Sequence, residues 1–262
     1  GNITLRHVLS HQSGLFDIRN TIDTATEMLD WPHMLKVIEQ ATPRFSAGQG
    51  FAYQPLTYGW IIGGVLEKVT KQSLNSLMQR YLVQPLELDG AYFGTPSSEL
   101  DRVARLLEKP KKPSAPKLQA KKDNQPRKAS LSEKFLVWSG QSPQDFQDAM
   151  IPKGMRNFSF YSDAGLQAVI PAANGVFTAD SLAKVYAMLA NQGQLNGQQL
   201  IRPEVFEQLS TVQSKARDRV MPIPMHWRLG YHRILTVGKR TPHGFGHMGF
   251  NGSGAWCDPD RE

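Results

Sequence analysis

An α+β fold, with helices early and strands late, is what this sequence predicts. Apolar residues recur at helical spacing from Leu5 to Leu209. Stretches rich in glycine and aromatics at 228–237 and 246–257 read as strands. Helix and strand patterns do not alternate and no internal repeat is visible, which argues against βαβ units.

Thr4 is placed to cap a helix over 5–13, with Leu5, Val8 and Leu9 on one face and Gly14 suited to its C′ position. Residues 32–41 form a second amphipathic helix, which Thr42-Pro43 ends. The helix over 56–69 is apolar nearly all round and therefore central. Gly59 and Gly63 stand one turn apart on it and let another backbone approach closely. Residues 72–85 continue as helix up to Pro85, and 142–150 form a short helix.

The character changes at Val169. Residues 170–175 make a turn-rich approach to Thr178, which can cap a helix over 179–191. Gln194-Leu195-Asn196-Gly197 makes a turn, and 203–209 form a shorter helix. Asp258-Pro259-Asp260 turns the chain after the last strand. The expected division is a helical subdomain over 1–168 and part of an α/β subdomain over 169–262, within one domain.

The 262 residues suffice for a sizeable core, and the longest apolar run, Trp60 to Leu66, is too short to span a bilayer. The single cysteine, Cys257, excludes an internal disulfide framework. A net charge of +7 hints at nucleic acid, but its distribution removes the hint. Residues 108–134 hold nine Lys or Arg and three acids, a net +6, which leaves +1 for the rest of the chain. That stretch also carries four prolines and almost no large apolar side chains, so it reads as a mobile, solvated surface insertion. It lacks the interleaved aromatics of a nucleic-acid arm. A salt-sensitive nucleic-acid binder acting through 108–134 is the reading this disfavours.

Phe51-Ala52-Tyr53-Gln54-Pro55 leads into the central helix. The amino end of a helix carries roughly half a positive charge, which favours phenolate at Tyr53. A tyrosine that can lose its proton near neutral pH can act as a general base. Around it stand three further segments. They are Ile3-Thr4-Leu5-Arg6-His7-Val8-Leu9-Ser10-His11-Gln12-Ser13-Gly14-Leu15, residues 170–209, and Phe245-Gly246-His247-Met248-Gly249-Phe250-Asn251-Gly252-Ser253.

Taken in order, these segments resemble the class C β-lactamase-like serine hydrolases, a group that includes family VIII carboxylesterases and DD-peptidases. The first is similar to the family's ITxRHLLxHTSGL signature. Residues 47–64 are similar to its PGxxFxYxxxxYGxLGxxxE segment, whose first tyrosine belongs to Tyr-x-Asn. The segment at 245–253 resembles its third motif, Lys-Thr-Gly or His-x-Gly. The resemblance covers nearly the whole chain outside the basic insertion. It implies a β-lactamase/transpeptidase-like fold, in which an antiparallel sheet is flanked by helices beside a helical subdomain. It also implies acyl-enzyme hydrolysis without cofactor or metal.

Carried over, Tyr53 is the general base and acid, and His247 holds the third-motif position. Phe250 N–H is an oxyanion donor, Gly249 permits close approach of the strand edge to substrate, and Gln54 contacts substrate. Proline at position 55 and histidine at 247, where β-lactamases have an amide and a lysine, tilt the expectation toward small esters. A β-lactamase or DD-peptidase, or an inactive binding domain of the same fold, are the alternatives.

The family's Ser-x-x-Lys lies upstream of the first motif. Here Ser114–Lys117 is a chance match within the insertion. Ser181 and Lys184, which open a capped helix, are the remaining nucleophile pair. The sequence therefore predicts an internal piece of a longer hydrolase, incomplete at both ends and inactive alone. No leader is visible, so cytoplasm and periplasm both stay open, as does oligomeric state. HxxxH spacing at His7/His11 and His243/His247 could bind zinc, but no carboxylate supports it and no metal is expected. Trp227 and Trp256 are core or pocket wall.

Overall fold

The first helix spans Leu5–Leu9. Thr4 Oγ1 accepts the His7 N–H and His7 Nδ1 accepts the Thr4 N–H, which closes a capping box. It ends four residues earlier than the spacing predicts, because His11 takes a left-handed φ of 59° and turns the chain inward. The computed structural model describes residues 2–104, 134, 137–138, 140–237, 241–249 and 252–261. The insertion expected over 108–134, except for Lys134, lies outside the described residues, as do Ser114–Lys117 and Phe250.

The helix Trp31–Glu39 is capped by Asp30 and packs on the helix Thr57–Thr70. The close backbone approach expected at both glycines is present at Gly59, whereas Gly63 makes room for a side chain. A Cβ on Gly59 would stand 2.6 Å from the Ala172 backbone nitrogen, and one on Gly63 would stand 2.6 Å from the Trp31 ring. Trp60, Met28, Met34, Ile18 and Ile170 fill the core around this crossing.

The helix expected over 72–85 breaks into Leu74–Met78, a π turn over Gln79–Val83 and a last turn, Gln84–Leu86. Helices Pro143–Met150, Ala179–Ala190 and Pro203–Ser210 follow the sequence closely, the first two capped by Ser142 and Thr178. A second core joins Met78, Leu86 and Ala91 to Met188, Leu189, Phe206, Phe245 and Cys257.

The sheets are small and antiparallel. Ala91–Tyr92 pairs with Val176–Phe177. Gln194–Leu195 pairs with Gln198–Gln199 across Asn196-Gly197, both at positive φ as a tight hairpin turn requires. In the third sheet, His232–Arg233 pairs with Phe245–Met248, which pairs with Gly254–Cys257. The strand expected over 228–237 is thus cut to two residues. Gly230, at φ 89°, turns the chain, and Arg228 N–H bonds the Tyr231 carbonyl across that turn. In place of the one strand expected over 246–257 stand the two paired strands Phe245–Met248 and Gly254–Cys257. No described helix is long and apolar enough to cross a membrane.

Candidate active site

Tyr53 lies on an extended segment held from both sides. On one side, Ala52 N–H bonds the His11 carbonyl and Gln54 N–H bonds His11 Nδ1 at 3.3 Å. On the other, Tyr53 N–H bonds Asp218 Oδ1 at 3.1 Å, and Arg219 N–H bonds the Phe51 carbonyl. The left-handed turn at His11 places its ring against Trp227, with centroids 4.1 Å apart, and edge-on to Tyr53 at 5.2 Å. The Trp227 indole stacks on the Tyr53 ring at 5.2 Å with 16° between planes.

The Tyr53 hydroxyl meets His247 Nε2 at 3.3 Å. Residues 194 positions apart in the chain thus touch through the two atoms that the motifs single out. Behind His247 stands His232, with ring centroids 5.0 Å apart. His232 Nδ1 bonds the Arg233 carbonyl at 2.7 Å and Nε2 accepts the Met248 N–H at 3.0 Å. Those partners fix it as a neutral imidazole with its proton on Nδ1.

Burial governs the electrostatics. It lowers His247 to a pKa of about 4, helped by the nearby His232. It pushes His11 well below the usual histidine range, with His247 and then His232 adding to the effect. Burial likewise raises the Tyr53 phenol far above its ordinary value, and the Asp218 carboxylate raises it further. The expectation of a phenolate favoured by the helix end therefore fails here. The helix begins only at Thr57, four residues beyond Tyr53, and burial with the Asp218 charge raises the phenol.

Other expected residues land elsewhere. Gln54 is buried, with its amide spent on Ser13 Oγ, the Leu15 carbonyl and Thr57. It ties the first motif to the central helix instead of contacting substrate. Gly249 N–H donates to the Ser253 carbonyl inside the hairpin, so it is not a free oxyanion donor. Ser181 is fully buried and donates to the Asp89 carbonyl at 2.7 Å, whereas Lys184 bonds the Glu87 carbonyl and pairs with Asp180. Each serves helix packing, and neither hydroxyl nor ammonium meets the other.

The HxxxH pairs separate as well. His7 caps its helix, and His243 pairs with Asp260 at 2.7 Å. Among the described residues no group of three metal-ligating side chains converges. Trp227 belongs to the site, but Trp256 is exposed. A cleft of about 790 Å³ near Phe206, Arg228 and His243 does not include Tyr53 in its lining.

Sequence reasoning missed Asp218. Its carboxylate is 2% exposed and accepts N–H bonds from Tyr53, Val220, Met221 and Trp227 Nε1. The only trace in the sequence is an acid flanked by two arginines, Arg217 and Arg219.

The ordered motifs, the helix-rich fold with small antiparallel sheets and the Tyr–His contact define a β-lactamase-like architecture. The chain belongs to the Beta-lactamase family, whose model matches residues 1–262. It is 31% identical over 260 residues to the Esterase/beta-lactamase LipL of Mycobacterium tuberculosis (strain ATCC 25618 / H37Rv). That match covers 98% of this chain and 56% of LipL. A penicillin-binding protein homolog from Caulobacter crescentus superposes with a TM-score of 0.75 at 28% identity, over 99% of this chain and 63% of that one. A family VIII carboxylesterase superposes with a TM-score of 0.78 at 25% identity, with the same coverage. The chain thus spans somewhat over half the length of the relatives it matches.

Proposed function

We propose that this chain forms the tyrosine–histidine part of a serine hydrolase that cleaves small esters through an acyl-enzyme. The observation that carries the reading is the Tyr53 hydroxyl at 3.3 Å from His247 Nε2, within family order. This reading assigns the nucleophilic serine and its lysine to the part of the family's length that this chain does not match, since the match covers 56% of LipL.

In this reading the serine Oγ attacks the ester carbonyl and its proton passes to Tyr53. Tyr53 returns the proton to the leaving alkoxide, and water then releases the acid. Tyr53 as placed here is a phenol, so the base role needs a cation beside its hydroxyl to bring its pKa down. Neutral His247 cannot supply that charge, but the lysine of the incoming segment can. The loss of a permanent cation at 247 and of an amide at 55 supports esters over β-lactams.

A protein spanning the full family length should turn over p-nitrophenyl butyrate in preference to nitrocefin. Dominant nitrocefin turnover would overturn the ester preference. Tyr53→Phe should lower ester hydrolysis by about 10²–10⁴-fold.

A further inference from the structure

The second anchor of Tyr53 is built from residues that no motif names. One Asp218 oxygen accepts the Tyr53 N–H at 3.1 Å and the Val220 and Met221 N–H groups at 2.8 and 3.0 Å. The other accepts Trp227 Nε1–H at 2.8 Å. The indole held by that bond lies nearly parallel to the Tyr53 ring. One buried carboxylate thereby fixes the backbone of Tyr53 directly and the plane of its ring through Trp227. Burial raises the pKa of this carboxyl, and the four N–H donors, three on one oxygen and one on the other, work against that rise and favour the ionised form.

We infer that Asp218, with Trp227, is a positioning residue that sets both the aim and the proton affinity of Tyr53. The inference rests on the reading of Tyr53 as the base. Among the described residues, the titratable groups facing Tyr53 are His11, His247, Tyr58 and Asp218, with His232 behind His247. The histidines are held neutral by burial. Asp218 is thus the charge that acts on the phenol, and it opposes proton loss.

The test is the pH profile of kcat and KM for p-nitrophenyl butyrate in a protein of full family length, across Tyr53→Phe, Asp218→Asn and Trp227→Phe. Asp218→Asn removes the charge and turns an amide NH₂ toward N–H donors. It should lower kcat by about 10²-fold through misplacement, leave KM within about twofold, and move the rising limb to lower pH. Trp227→Phe keeps an aromatic face but strips one donor from the carboxylate, whose charge then bears more fully on Tyr53. It should lower kcat less and move the limb to higher pH. If Asp218→Asn does not fold, Trp227→Phe alone decides through the direction of its limb.

Limbs that stay put in both variants, or that move the same way, would overturn the inference even where kcat falls, because a merely structural anchor does that. Tyr53→Phe separates the two failures. A Tyr53→Phe enzyme that keeps full activity removes the base reading and the inference with it. An inactive Tyr53→Phe beside unshifted limbs removes the inference alone.

Discussion

Two neutral imidazoles against one phenol, with a third behind them, make a site that acid should dismantle. His247 titrates near 4 in the fold against an ordinary 6.5, and His11 and His232 are lowered too. As pH falls below about 6.5 the unfolded chain takes up protons that the folded chain refuses. Stability is therefore full above that value and declines as pH drops toward 4. Thermal midpoints followed by circular dichroism should show the decline, and His247→Asn should make it shallower. An equal slope in the variant would mean that His247 is not a source of the loss. Tyr53 and His247 were legible because both sit in short motifs with fixed neighbours. Asp218 was not, since its partners are three backbone N–H groups and an indole, and none of those leaves a spacing to read. Gln54 misled because its motif position says nothing of which way the amide turns.

Glycines on the central helix distinguish two kinds of close contact. A methyl at Gly59 would press on the Ala172 backbone, which cannot yield without moving the 170–175 turn. Gly59→Ala should cost about 1–3 kcal/mol in urea denaturation. A methyl at Gly64 would meet the Leu35 side chain, with Cδ2 nearest at 2.8 Å, and that side chain can shift. There the helix propensity of alanine, worth about 1 kcal/mol, offsets the crowding, and Gly64→Ala should be close to neutral. If the two variants lose equal stability, backbone contact at Ala172 is not the deciding factor. The helices Pro143–Met150, Ala179–Ala190 and Pro203–Ser210 were readable from caps and prolines acting over one turn. Strand limits were harder, because Gly230 and Gly252 bend the chain at positive φ, and sequence alone does not say which glycine will do so.

At the scale of the molecule, fold and family were legible because the motifs come in order along nearly the whole chain. Chemistry was less so, since the tyrosine of the site is present in a state too weakly acidic to act by itself. These 262 residues alone should hydrolyse neither p-nitrophenyl butyrate nor nitrocefin. They should also stay unlabelled by a fluorophosphonate probe, whereas a protein of full family length should label. Labelling of this chain that disappears in Ser181→Ala would contradict the buried, bonded state of that hydroxyl.

The hairpin that carries His247 has one more effect. Its outer strand, Gly254–Cys257, forms the border of the sheet among the described residues, and Trp256 stands 57% exposed upon it. Open borders of this kind recruit further extended backbone. In concentrated solution the chain should therefore thicken into assemblies grown strand upon strand, visible as light scattering that rises with concentration. A lysine in place of Trp256 should keep it dispersed, so the hairpin that presents His247 on one strand sets the colloidal limit of the material with the other.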